Sequence, residues 1–87
     1  MRKSIQHPHQ FILLNLLRET RKQAGLRQVE LSDRLRKPQS FVSKYEIGER
    51  RLDLVELREV CSAMEVSFSD FIAQFDERCS QLKYSKP

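Results

Sequence analysis

Segment 38–46 places four polar side chains on one face of a predicted helix, and they belong to Gln39, Ser40, Ser43 and Lys44. The opposite face is apolar and carries Phe41, Val42 and Tyr45. A glutamine amide can pair with adenine N6 and N7, and a lysine ammonium can donate to guanine O6 and N7. The serine hydroxyls suit either bases or phosphates. An ordinary solvent-facing surface has the same pattern, so the segment alone leaves both interpretations open.

Charge is distributed unevenly along the chain, and the basic part includes this segment. Residues 1–51 contain 12 Lys and Arg against 5 Asp and Glu, a net of +7. Residues 52–87 contain 4 against 7, a net of −3, and together the two parts account for the chain's +4. A body with one basic side attracts a polyanion such as nucleic acid. Solvated surface charge would give the same count, so charge favours nucleic acid only slightly.

Five helices joined by tight turns are predicted, because apolar residues recur at helical spacing and no β-type alternation persists. They cover about 10–24, 28–35, 38–46, 54–64 and 68–82. Gly25 and Gly48 are natural C-terminal stops, Pro38 opens the third helix, and Asp53 and Ser67 are N-caps. We expect a flexible basic arm over 1–9, one domain over 10–76, and an extension of the fifth helix with a frayed tail over 77–87.

Other chemistry finds little support in the sequence. There is no Gly-rich phosphate loop and no Ser/His/Asp spacing, so we expect neither an enzyme nor a cofactor. His7 and His9 could hold a metal with a cysteine, but they fall in the predicted arm, and no metal site is expected. No apolar run approaches the roughly 18–20 residues of a membrane span. A secretory cleavage site is also absent, so a cytoplasmic protein is expected.

Residues 28–46 resemble the helix-turn-helix of the Cro-repressor-like family, also called the XRE family. The matching positions are Gln28, Leu31-Ser32, Leu35, Val42, Ser43, Glu46 and Gly48. The similarity extends from about Leu13 to Phe71 and includes Arg21, Gly25-Leu26 and Val66-Ser67. It implies an all-α, five-helix lambda-repressor-like DNA-binding domain. Three residues depart from the family pattern: Arg36 and Glu65 replace common glycines, and Leu52 replaces a common proline.

The resemblance also implies roles for individual residues. The third helix would be the recognition helix, with Gln39, Ser40, Ser43 and Lys44 contacting bases. Phosphate contacts are expected from Gln28, Lys37, Arg50 and Arg51. Arg21 and Glu46 would form an internal pair that links the first helix to the end of the third. The implied function is sequence-specific binding of double-stranded DNA by a transcriptional regulator, most simply a repressor at an inverted-repeat operator.

The fifth helix carries an apolar stripe that exceeds the needs of a small core. We expect it to form a symmetric homodimer through Phe71, Phe75, Cys79 and Leu82. The same fold also serves as the antitoxin half of toxin–antitoxin pairs and as an adaptor that binds proteins. A toxin or another protein partner therefore remains the alternative to DNA.

Overall fold

The computed structural model describes residues 7–82, and this part of the chain forms five α-helices. Their ranges are α1 Pro8–Gln23, α2 Gln28–Leu35, α3 Gln39–Glu46, α4 Leu54–Ala63 and α5 Phe68–Gln81. The predicted all-α architecture of five helices is confirmed. α2 begins and ends where predicted. The other helices agree with the predicted bounds to within two residues.

The N-terminal end of α1 lies earlier than predicted. His7 is its N-cap, and the His7 Nδ1 accepts a hydrogen bond of 3.0 Å from the His9 amide. Pro8 occupies the first helical position, where its fixed φ suits the helix and its missing N–H costs nothing. Pro8 and His9 therefore belong to α1 and His7 caps it, which corrects the predicted arm at these three residues. Residues 1–6 and residues 83–87, the last part of the extension and tail predicted over 77–87, lie outside the described residues.

One core holds the helices together. α1 packs against α3 and α5, α2 packs against α3 and α4, and α4 packs against α5. The buried apolar side chains belong to Leu14, Leu16, Leu17, Leu26, Leu31, Phe41, Val42, Tyr45, Leu57, Val60, Cys61, Met64 and Phe71. Every helix contributes to this set, so no helix is an appendage. The orientation of α3, with its exposed polar face, is consequently fixed by the same core.

The first four helices end alike, with a residue of positive φ just beyond each. Gly25 has φ 76° and Gly48 has φ 86°, a backbone region open to glycine at no steric cost. Arg36 at φ 59° and Glu65 at φ 63° adopt the same backbone region although each has a side chain. In every case the next amide donates to the carbonyl five positions back, at 2.9–3.1 Å. Arg36 and Glu65 therefore carry strain that a glycine would not.

Replacing Glu65 by glycine should stabilise the fold. We expect Glu65→Gly to raise the free energy of unfolding by about 1 kcal/mol, because the left-handed backbone is then unstrained. The lost ion pair with Arg34, at 3.6 Å and largely exposed, contributes little. Glu49→Gly is the matched control, since it makes the same chemical change at a residue without positive φ. Denaturant unfolding followed by circular dichroism measures both, and equal effects would contradict the strain at Glu65.

Candidate nucleic-acid interface

The outer face of α3 presents the predicted polar residues to solvent. Gln39, Ser40 and Lys44 are exposed, and Ser43 is half-buried. The hydroxyl of Ser43 donates to the Ser40 carbonyl at 3.2 Å, which leaves its oxygen lone pairs as acceptors. The structure thus brings all four residues to one surface, and their contact with bases stays a prediction.

Close crossing of α2 and α3 depends on a small residue. Ser32 is fully buried between them, and its hydroxyl donates to the Gln39 carbonyl at 3.3 Å. Leu31 and Val42 are also fully buried. A larger side chain at residue 32 would push the helices apart, because packed interiors have no spare volume. Ser32 therefore helps to set the angle at which α3 is presented.

A buried polar network attaches α3 to α1 and α2. The Arg21 Nε donates to the Glu46 Oε2 at 2.7 Å, and the Arg21 Nη2 donates to the Glu46 Oε1 at 3.1 Å. A third donor of the same guanidinium, Nη1, bonds the Leu26 carbonyl at 2.9 Å. Only 7% of Arg21 and 3% of Glu46 are exposed. The two charges that the sequence analysis paired thus form a bidentate contact within the protein.

Gln28 takes part in the same network, which the sequence analysis missed. Its Nε2 donates to the Glu46 Oε1 at 2.9 Å. The residue stands at the first position of α2, where helix N–H groups and the helix dipole favour an anion. An amide nitrogen has two hydrogens, so one donor remains after the bond to Glu46. Phosphate contact by Gln28 stays a prediction. It would use the remaining donor of a side chain that Glu46 already holds in place.

Arg50 is held inside the loop that follows α3. Its Nη1 and Nη2 donate to the two carboxylate oxygens of Glu56 at 3.1 and 2.7 Å, and Nη1 also bonds the Arg51 carbonyl at 2.9 Å. The Arg50 Cζ lies 4.7 Å from the centroid of the Phe41 ring. Hydrogen bonds from Arg50 and from the Asp53 backbone lower the pKa of Glu56 to about 2. The predicted phosphate contact of Arg50 would therefore have to compete with this carboxylate.

Glu56 has a second task that the sequence could have revealed. It accepts from the Asp53 amide at 2.9 Å, while the Asp53 carboxylate accepts from the Glu56 amide at 2.7 Å. This reciprocal pair is a capping box at the start of α4. The spacing Asp-x-x-Glu indicates this capping box, yet the sequence analysis predicted only the N-cap role of Asp53. Glu56 therefore links the N-terminal cap of α4 to the position of the Arg50 side chain.

The remaining predicted phosphate contacts, Lys37 and Arg51, are exposed. The Lys37 Nζ lies 5.5 Å from the centroid of the Phe41 ring, so this cation lies close to α3. In residues 7–82, no group of three or more His, Cys, Asp or Glu side chains is placed to hold a metal ion.

The stripe on α5 divides between core and surface. Phe71 is 1% exposed and belongs to the core, because that side of α5 faces α1 and α4. The dimer prediction for Phe71 therefore needs correction: its side chain is not available at the surface. Phe75 is partly buried against the core, and Cys79 and Leu82 are half-buried. An Arg78–Glu19 contact of 2.8 Å ties this end of α5 to α1.

Comparisons with known proteins agree with this geometry. A helix-turn-helix family model, HTH_3, matches residues 17–71. A solved structure described as an XRE-family like protein from Pseudomonas syringae pv. tomato str. DC3000 is 40% identical, with a TM-score of 0.77. That similarity covers 80% of this chain and 85% of the other.

The fold is also similar to that of a restriction-modification controller protein, C.Esp1396I. The wild-type structure is 19% identical with a TM-score of 0.79, and covers 92% of this chain and 100% of the other. A point mutant of the same protein is 18% identical with a TM-score of 0.81, covering 91% and 100%. No curated protein matches the chain. Within the described residues, no helix combines the length and apolar content that crossing a membrane requires.

Removing the charge of Glu46 should destabilise the protein strongly. Glu46→Gln leaves the buried Arg21 guanidinium without a counter-charge, so we expect the free energy of unfolding to fall by about 3 kcal/mol. Glu49→Gln is the control, because it removes a carboxylate from an exposed residue three positions away. Urea unfolding of both variants gives the comparison. A loss of similar size in the two would show that the buried pair does not hold α3.

Proposed function

Because this chain belongs to the XRE family of helix-turn-helix DNA-binding regulators, we propose that it represses transcription by binding an inverted-repeat operator as a homodimer. One observation carries the proposal: the polar face of α3 is exposed while buried contacts of Arg21, Glu46 and Ser32 fix the helix behind it. A fixed helix with a hydrogen-bonding outer face is what major-groove reading requires.

In the proposed complex, α3 enters the major groove and Gln39 and Lys44 distinguish bases. Glutamine would pair with an adenine and lysine with a guanine, while Ser40 and Ser43 bond whichever bases or phosphates lie beside them. The Ser43 hydrogen is already donated to a carbonyl within α3. This residue would therefore act as an acceptor, which suits the amino group of cytosine or adenine.

Phosphate contacts would orient the domain on the duplex. Gln28 at the start of α2, together with exposed Lys37 and Arg51, supplies donors on either side of α3. We assign Arg50 chiefly to positioning the loop, because its guanidinium is engaged by Glu56. Neutralised phosphates release counterions, so binding would weaken steeply as salt rises.

Pairing of two copies would occur through the exposed parts of Phe75, Cys79 and Leu82 on α5. A two-fold dimer places two recognition helices about 34–36 Å apart, which matches half-sites one turn apart. Occlusion of a promoter in the cytoplasm is then the simplest route to repression. The family consists of DNA-binding regulators and not of enzymes, so we propose no catalytic step and no cofactor.

Selection of binding sites from a random duplex pool tests sequence-specific reading. Wild-type protein should enrich an inverted repeat, and the double variant Gln39→Ala, Lys44→Ala should fail to enrich it, because the base contacts are removed. The double variant Lys22→Ala, Gln74→Ala is the matched control. It makes the same changes of composition and charge at exposed residues of α1 and α5, and should select the wild-type repeat.

Failure of the wild-type protein to enrich any motif would overturn the specific repressor. Weak, salt-sensitive binding without a motif would instead favour the antitoxin or adaptor role, in which the same fold binds a protein.

Substitutions on α5 test the homodimer. Phe75→Glu with Leu82→Glu should shift sedimentation from dimer to monomer, because two like charges would face each other across the two-fold axis. The control is Leu54→Glu with Val55→Glu, which introduces the same charges at residues 68% and 67% exposed on α4. Dissociation caused by the α4 pair alone would place the interface there instead, and a monomeric wild type would refute the dimer.

A further inference from the structure

We propose that Arg36, in the turn between α2 and α3, is an additional phosphate-contacting residue retained at the expense of stability. The inference rests on the proposed DNA binding but not on the dimer or on the choice of operator. Two independent observations support it: the strained backbone of this residue and the state of its charge.

The first observation is the backbone conformation. Arg36 has φ 59° and ψ 41°, in the left-handed region that disfavours a residue with a Cβ. Backbone bonds impose this geometry, because the Arg36 amide donates to the Asp33 carbonyl and the Lys37 amide to the Ser32 carbonyl, both at 3.0 Å. Arginine lacks the short polar side chain with which asparagine and aspartate tolerate the region. Folding alone would therefore favour glycine at this position.

The second observation is that the Arg36 charge is unpaired within residues 7–82. Six other arginines lie within 4 Å of a carboxylate, namely Arg18, Arg21, Arg27, Arg34, Arg50 and Arg78. Arg36 is exposed, and across the described part of the chain it has no ion pair or side-chain hydrogen bond. The guanidinium of Arg36 therefore makes no contact that stabilises this part of the fold. Its planar N–H donors are suited to bidentate hydrogen bonding with a phosphate.

The position of the turn makes such a contact reachable. Arg36 precedes Lys37, whose ammonium lies over the Phe41 ring of α3. It stands three residues before Gln39, the first residue of α3. A long side chain attached to this turn would therefore be within reach of the phosphates that flank the base contacted by Gln39, at the N-terminal end of α3.

Three variants separate charge from strain: Arg36→Gly, Arg36→Lys and Glu65→Gly. Thermal unfolding and binding to a random-sequence duplex over a salt series are measured for each. Arg36→Gly should melt at a higher temperature yet bind DNA more weakly, with the slope of log K against log salt reduced by about 0.9. Arg36→Lys should keep the wild-type slope. Glu65→Gly should also melt higher, but without weaker binding, since it relieves the same strain and removes a negative charge.

An unchanged salt slope in Arg36→Gly, with the wild type binding DNA, would overturn the role of Arg36 alone. A reduced slope in a protein that selects no operator would support the inference while the specific repressor fails. Failure of the wild type to bind any duplex, even at low salt, would overturn both.

Discussion

The buried contact between Arg21 and Glu46 is the constraint on which the placement of α3 and its exposed polar face depends. Glu46 is the last residue of α3, and its carboxylate receives hydrogen bonds from Arg21 of α1 and Gln28 of α2. Burying two charges costs desolvation that their attraction only partly offsets, so the pair adds little net stability over a well-packed apolar substitute. Its contribution is to geometry, because the bidentate contact joins α1 to α3 and the Gln28 bond joins α2 to the same carboxylate.

The cationic side chains of this protein fall into two groups with different roles. Three arginines that contact a carboxylate hold elements together: Arg21 joins α1 to α3, Arg78 joins α5 to α1, and Arg50 joins the loop to the cap of α4. The cations near α3 that have no carboxylate within reach in the described structure, such as Lys37, Lys44 and Arg51, are exposed. An unpaired cation is fully available to a polyanion, whereas a paired one must first lose its partner. Net charge therefore overstates the part of the basic half that can act on DNA.

Sequence reasoning succeeded where the determinant is local and failed where it is tertiary. Pro38, Gly48, the two N-caps and apolar periodicity located α3, α4 and α5 to within one residue at each end, since those signals act within one turn. The start of α1 was missed because His7, Pro8 and His9 lack the apolar spacing that marks a helix. The partners of Gln28 and Arg50 lie on other elements or later in the chain and have no local signature. Phe71 and Phe75 share one stripe, yet periodicity cannot tell which of them meets the core.

The shortness of α3 explains why its exposed polar face is separable from its stability. Eight residues are too few for a helix to persist alone in water, so α3 is helical because it is packed. Its stability comes from Phe41, Val42, Tyr45 and Glu46, all buried, and from the Ser32 contact beneath it. Gln39, Ser40 and Lys44 are exposed and contribute little to that packing. Side chains on the exposed face of such a helix can change without loss of the fold, because they are distinct from the side chains that hold the helix.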